Sequence, residues 1–114
     1  MKFINISSGL KMAFGDDNFK FELTEQIQLT ESKEIEILFG RSLVYLFHDK
    51  NSSVLNICRS IKLSRKDFYN KVNGTWEISN EPISVSAIIL NEKSSKHARE
   101  IKIILKGWLK PVFP

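Results

Sequence analysis

Two histidines, His48 and His97, and one cysteine, Cys58, are the side chains of this sequence best suited to acid–base or nucleophilic chemistry. A base that activates a hydroxyl or thiol must meet it in space. Nothing in the spacing here pairs either histidine with a serine or with Cys58. Two histidines and one cysteine also leave a tetrahedral zinc site short of ligands unless carboxylates join it. Read on a strand, Cys58 shares its face with Ser60 and Lys62 while Arg59 points the other way. No cation then lowers its thiol pKa, and it is expected to be a small surface or interlayer residue. Asp16, Asp17 and Asn18 offer oxygen ligands, but Phe19-Lys20-Phe21 follows where a calcium loop needs further carboxylates, so the segment reads as a turn. Gly9, Gly15, Gly40, Gly74 and Gly107 stand apart and form no phosphate-cradling loop. The sequence assigns no catalytic residue, no metal ligand and no cofactor, and the expectation is a protein that is not an enzyme.

Cations interleaved with aromatic rings are the remaining constellation. Residues 1–50 carry six Lys/Arg against eight Asp/Glu, whereas residues 51–114 carry eleven against five, a net of −2 followed by +6. Arg59, Lys62, Arg65, Lys66 and Lys71 lie close together in the chain, with Tyr69, Trp76 and Phe68 nearby. Single-stranded nucleic acid is bound by such combinations, cations following the phosphates and rings stacking on bases. Arg59, Lys62, Arg65, Lys66, Tyr69, Lys71 and Trp76 are therefore the candidate contacts for that mode. Lys93, Lys96, Arg99, Lys102, Lys106 and Lys110 continue the basic half. On a strand Lys102 and Lys106 fall opposite Ile101, Ile103 and Leu105, the pattern of a solvated face. A second candidate surface is apolar: Trp108, Leu109, Val112 and Phe113, in a segment constrained by Pro111 and Pro114, look like a protein interface or a tail folded back on the core.

The elements that must position these groups follow from a two-residue apolar beat, which marks strands with one buried face. Strands are expected over residues 3–7, 19–29, 34–39, 43–47, 54–63, 75–79, 83–90 and 100–108, with a short segment over 10–14. Residues 19–29 keep one parity throughout, so Phe19, Phe21, Leu23, Ile27 and Leu29 should bury one face. Residues 43–47 are apolar on both parities and belong in the middle of a sheet. The polar stretch 48–53 makes a hairpin with the strand after it. Ser64 followed by Asp67 spaces an N-cap for a short helix over residues 65–71. Asn73-Gly74 is a tight-turn pair, and residues 91–99 form a hairpin tip or a single helical turn. The core is expected at Ile35, Ile37, Val44, Leu46, Ile57, Ile61, Val85, Ile103 and Leu105.

These elements sum to an all-β fold, an antiparallel sandwich or barrel of about seven to nine strands with at most one or two short helices. One β-rich domain spans residues 1–114 on size priors. No apolar run approaches the ~20 residues of a membrane helix, and residues 1–7 are too short an apolar stretch for a secretory signal. A cytoplasmic protein is expected, virion component included, and a lone cysteine suits a reducing compartment. The preferred function is a non-enzymatic structural or interaction module that works through its surface on a protein partner or on itself. Small basic β domains occur among virion components and phage-encoded inhibitors, an analogy of fold alone. The alternative is a basic single-stranded nucleic-acid binder of oligonucleotide-binding-fold type, and a small enzyme is the least supported class.

Overall fold

The structure, a computed structural model, describes residues 20–74, 76, 81–92 and 94–113. The expected elements at 3–7, 10–14 and 15–18, and nearly all of 75–79, lie outside those residues. Five strands form one antiparallel sheet: β1 (Phe21–Leu23), β2 (Ile27–Gln28), β3 (Ser42–His48), β4 (Val54–Ser60) and β5 (Ser84–Leu90). The order is β1-β5-β3-β4, with β2 also on β5 beyond β1. Three helices accompany them, α1 (Ser32–Ile35, continued by a 3-10 turn at Glu36–Leu38), α2 (Arg65–Val72) and α3 (Ala98–Leu109). About 34% of the described residues are helical and 30% are strand, and the sheet does not close into a barrel. The all-β expectation is therefore wrong. No helix among the described residues is long and apolar enough to cross a membrane.

Each face of the sheet has its own core. On one face Leu43, Tyr45, Phe47, Leu55, Val85, Ala87 and Ile89 pack with Ile35, Leu38, Leu63 and Phe68 beneath α1 and α2. On the other, Val44, Leu46, Ile57, Ile88 and Leu90 pack against Ala98, Ile101 and Leu105 of α3. Covering both faces explains why β3 reads as apolar on both parities, and the side chains of β3 and β5 are buried almost throughout. The β3–β4 hairpin and the placing of 43–47 at the centre hold.

Two expected strands are helices, and the reason is periodicity. Residues 34–39 were expected to bury Ile35 with Ile37, yet Ile35 and Leu38 are buried while Ile37 is 52% exposed. Residues 100–108 were expected to bury Ile103 with Leu105. Instead Ala98, Ile101 and Leu105 turn inward at spacings of three and four, leaving Ile103 59% exposed. The run 101–105 is apolar enough to satisfy either period. Ala98, three residues before Ile101, fits only the helical one, whereas Leu109 fits both. Lys110 closes α3 in a left-handed conformation (φ 46) and donates its N–H to Lys106 O, with Pro111 next to bar continuation. Ile61 is the third core assignment to fail. It stands 78% exposed because β4 ends at Ser60 and the chain turns away.

Residues 19–29 also break the expected parity. From Leu23 to Ile27 the edge advances four residues while β5 retreats three, from Ile88 to Val85. The extra residue is a bulge that flips the buried side. Phe21 and Leu23 pack with the α3 core, whereas Ile27 and Leu29 pack with the other. Thr24 supports the irregularity: its N–H donates to Ala87 O at 2.9 Å and its Oγ1 accepts the Ala87 N–H at 2.8 Å. The helix over 65–71 forms as expected, and Ser64 Oγ accepts the Asp67 N–H at 3.1 Å.

Candidate functional site

The register of β3 on β5 brings together a pair that sequence spacing did not suggest. His48 Nε2 lies 2.7 Å from Ser86 Oγ, and His48 Nδ1 lies 3.3 Å from the carbonyl oxygen of Ser52. A carbonyl can only accept, so Nδ1 carries the proton and Nε2 accepts the Ser86 hydroxyl. That is the polarity of a serine–histidine pair, but His48 and Ser86 are both fully buried. The same end of the sheet holds Gln26 Oε1, which accepts from Ser84 Oγ at 3.0 Å and from Ser52 Oγ at 3.4 Å. The cluster ties the hairpin loop 49–53 to β2 and β5. Ser52 is held there at φ 63, while Asp49 Oδ1 accepts the N–H groups of Asn51 and Ser53. Burial lowers the His48 pKa from 6.5, keeping the ring neutral. The alternation Ser84, Ser86 on β5 was the available signal for a polar lining opposite His48.

His97 sits at the entry of α3 with Nδ1 3.7 Å from Glu100 Oε2. Among the described residues no three His, Cys, Asp or Glu side chains gather as a metal site, and Asp16 and Asp17 lie outside them.

The second site is electrostatic, and it is built on β4, an outermost strand among those described. A groove of about 410 Å³ opens between the end of β4 and α2, lined by Tyr45, Arg59, Ser60, Leu63, Asp67, Asn70 and Lys71. Asp67, Asn70 and Lys71 recur at three and four residues, which puts them on one side of α2. On the other face of the sheet, helical spacing aligns Arg99, Lys102 and Lys106 along one side of α3. On a strand Lys102 and Lys106 would still have shared a face, and it is the helix that adds Arg99 to them. Burial lowers the Lys102 pKa first, and repulsion from Lys106, Arg59 and Lys71 adds to that, while Cys58 works the other way. Arg59, Lys71, Lys102 and Lys106, from three elements, thus converge around one edge. None of them is in an ion pair among the described residues; the pairs there are Arg65 with Glu36 at 3.6 Å and His97 with Glu100.

Cys58 is within the electrostatic influence of Lys71, Lys102 and Lys106, and it is buried, the interlayer rather than the surface alternative. Its pKa is raised, because burial outweighs the opposing pull of Lys71, Lys102, Lys106 and the Tyr45 hydroxyl. Tyr45, paired with Cys58 across the β3–β4 ladder, is likewise raised by burial first and by the neighbouring thiol next. Neither group is primed for nucleophilic chemistry.

The rings of the expected nucleic-acid surface have other duties. Phe68 is fully buried and stacks on Phe47 with centroids 5.7 Å apart. Trp76 packs edge-on to Phe47 and Phe113, and its Nε1–H donates to the carbonyls of Lys71 and Val72 at 3.1 Å. It thereby satisfies carbonyls that the end of α2 leaves without intrahelical donors. Tyr69 is half-buried against Phe39 and Phe68, with the Arg65 guanidinium 5.6 Å above its ring. Lys62 and Lys66 are exposed and do not line the groove. Of the seven candidates, only Arg59 and Lys71 line it. Lys102 and Lys106 were read from the sequence as a solvated strand face.

The C-terminal patch divides between the two cores. Leu109 packs with the α3 core and Phe113 with the opposite one, while Trp108 and Val112 stay about half exposed. Between them the tail rounds the β4 edge, where Val112 N–H donates to Val54 O at 3.1 Å and Phe113 N–H to Leu55 O at 2.8 Å.

The chain matches no protein-family model, no curated protein sequence and no solved structure.

Proposed function

We propose that this protein is an interaction module, and that its working surface is the basic edge formed by β4, α2 and α3, where it takes an acidic segment of a protein partner. The observation that carries this reading is an open groove lined by Arg59 and Lys71 at the β4 edge, with Lys102 and Lys106 of α3 close enough to act on the same groups from the other face of the sheet, and none of the four with an ion-pair partner among the described residues. Clustered like charges repel, and that repulsion adds to burial, the larger cause, in lowering the Lys102 pKa. A site of this kind gains from any anion that relieves the repulsion.

Nucleic acid is the second reading, supported by the same cations. It is weaker because a single-strand binder needs exposed rings for base stacking. Trp76 and Phe68 serve the core instead, and Tyr69 is half-buried. The test is fluorescence anisotropy with a labelled Glu-rich peptide and a labelled oligothymidine in parallel. The peptide is expected to bind, to weaken as salt rises, and to weaken about tenfold in the Lys71→Glu, Lys102→Glu double variant, at about 0.7 kcal/mol per lost contact. Binding of the oligothymidine alone, or of neither probe, refutes the proposal.

A further inference from the structure

Resting on that reading, we propose that the acidic partner segment is extended and joins the sheet as an added strand on the outer edge of β4, alongside residues 57–60. β4 already receives main-chain donors there. At its start the carbonyls of Val54 and Leu55 accept the Val112 and Phe113 N–H groups of the chain's own tail. Pro114 has no N–H to offer, so the tail cannot extend that ladder with its next residue. At the following position Asn56 Oδ1 accepts the Ile57 N–H at 2.8 Å, a side chain standing in for a strand partner. Among the described residues the edge is thus occupied over its first residues, met locally at Ile57, and open beside Arg59.

The cations explain why an extended chain fits better than a helix. A strand sends alternate side chains to opposite faces of the sheet. A strand added to β4 would present one set toward α2, where Lys71 lines the groove, and the other toward α3, which carries Lys102 and Lys106. Arg59, on the edge itself, reaches between them. No single face of a helix could meet both sets. The groove between β4 and α2, about 410 Å³ over Tyr45 and Leu63, gives the α2-facing side chains room. Asp67 also lines it, so the residue beside Asp67 is polar and uncharged, within reach of Asn70. Strand addition between an edge strand and a helix is a common mode of peptide capture, with the main chain giving affinity and alternate side chains giving specificity. A second copy of this chain is disfavoured as the occupant, because pairing β4 with β4 would set Arg59, Lys71, Lys102 and Lys106 against themselves.

The test compares a labelled peptide of repeating Glu-Glu-Thr-Thr, which places glutamates on both faces of an extended chain, with a twin of the same sequence whose alternate backbone amides are N-methylated. Charge is identical and ladder donors are lost. The parent peptide is expected to bind at least tenfold more tightly than the twin, and to slow exchange of the Arg59 amide hydrogen in the complex. Equal binding of parent and twin, or an unchanged Arg59 amide, overturns strand addition and leaves the acidic-segment reading standing. Failure of both peptides to bind the folded protein overturns both, as does binding of oligothymidine in their place.

Discussion

Ile101 and Ile103 separate a helix from a strand by two residues, and substituting each with Ala measures which one exists. On a strand the two would share a face and lose alike. On α3, Ile101 is fully buried against the sheet and Ile103 is 59% exposed. Ile101→Ala removes three carbons from a filled interface, at about 0.8 kcal/mol per buried carbon. The void left between α3 and Val44, Leu46 and Ile88 raises the cost to about 3–4 kcal/mol. Ile103→Ala removes the same carbons from a site open to water, and Ala is the better helix former, so the change stays within about 0.5 kcal/mol. At about 4 °C per kcal/mol, Ile101→Ala should lower Tm by roughly 12–16 °C and Ile103→Ala by no more than about 2 °C. Thermal unfolding followed by circular dichroism reads both. Equal losses at the two positions would refute the helix, and a larger loss at Ile103 would reverse its face.

His48 should make stability sensitive to acid. Its folded pKa is depressed by burial, so as pH falls below 6.5 the unfolded chain takes up a proton that the folded chain resists, and stability is lost until the folded pKa is passed. His48→Gln should flatten that limb of the Tm–pH profile, and a parallel limb in the variant would refute the assignment. Ser64→Ala removes the acceptor of the Asp67 N–H and should cost about 1 kcal/mol, whereas Ser64→Asp keeps most of it, both read by urea unfolding. In the tail, Phe113→Ala should cost about 2 kcal/mol, below the ~3–5 of a wholly buried ring, because Phe113 is packed on Trp76 but part exposed. Val112→Ser, at an exposed position, should cost under about 0.5 kcal/mol. If Val112 proves the costlier of the two, the tail lies on β4 the other way up.

Much of the sheet could be read from the chain because its signals are local. Leu43, Val44, Tyr45, Leu46 and Phe47 are apolar on both parities, which demanded a strand covered on both faces, and β3 is that strand. The polar loop 49–53 is short enough to force a hairpin, and Ser64 with Asp67 marked the start of α2. Ile35, Val44, Leu46, Ile57, Val85 and Leu105 are core as expected, since each kept its burial whichever element it joined.

What went unread depended on partners distant in sequence. A run such as 101–105 satisfies both periods, and only packing of Ala98, Ile101 and Leu105 on the sheet selects the helix. The bulge beside Thr24 is set by pairing with Ala87, so the opposite faces of Leu23 and Ile27 could not be seen in residues 19–29 alone. The candidate site follows the same division. Composition alone determined that the second half of the chain is basic and that Arg59 and Lys71 belong to it. That these two meet Lys102 and Lys106, that Trp76 and Phe68 turn inward, and that His48 finds Ser86 were decided by tertiary structure. The reason is physical: charge and apolarity are properties of single residues, whereas proximity is a property of how helices and strands from distant segments pack around a shared edge.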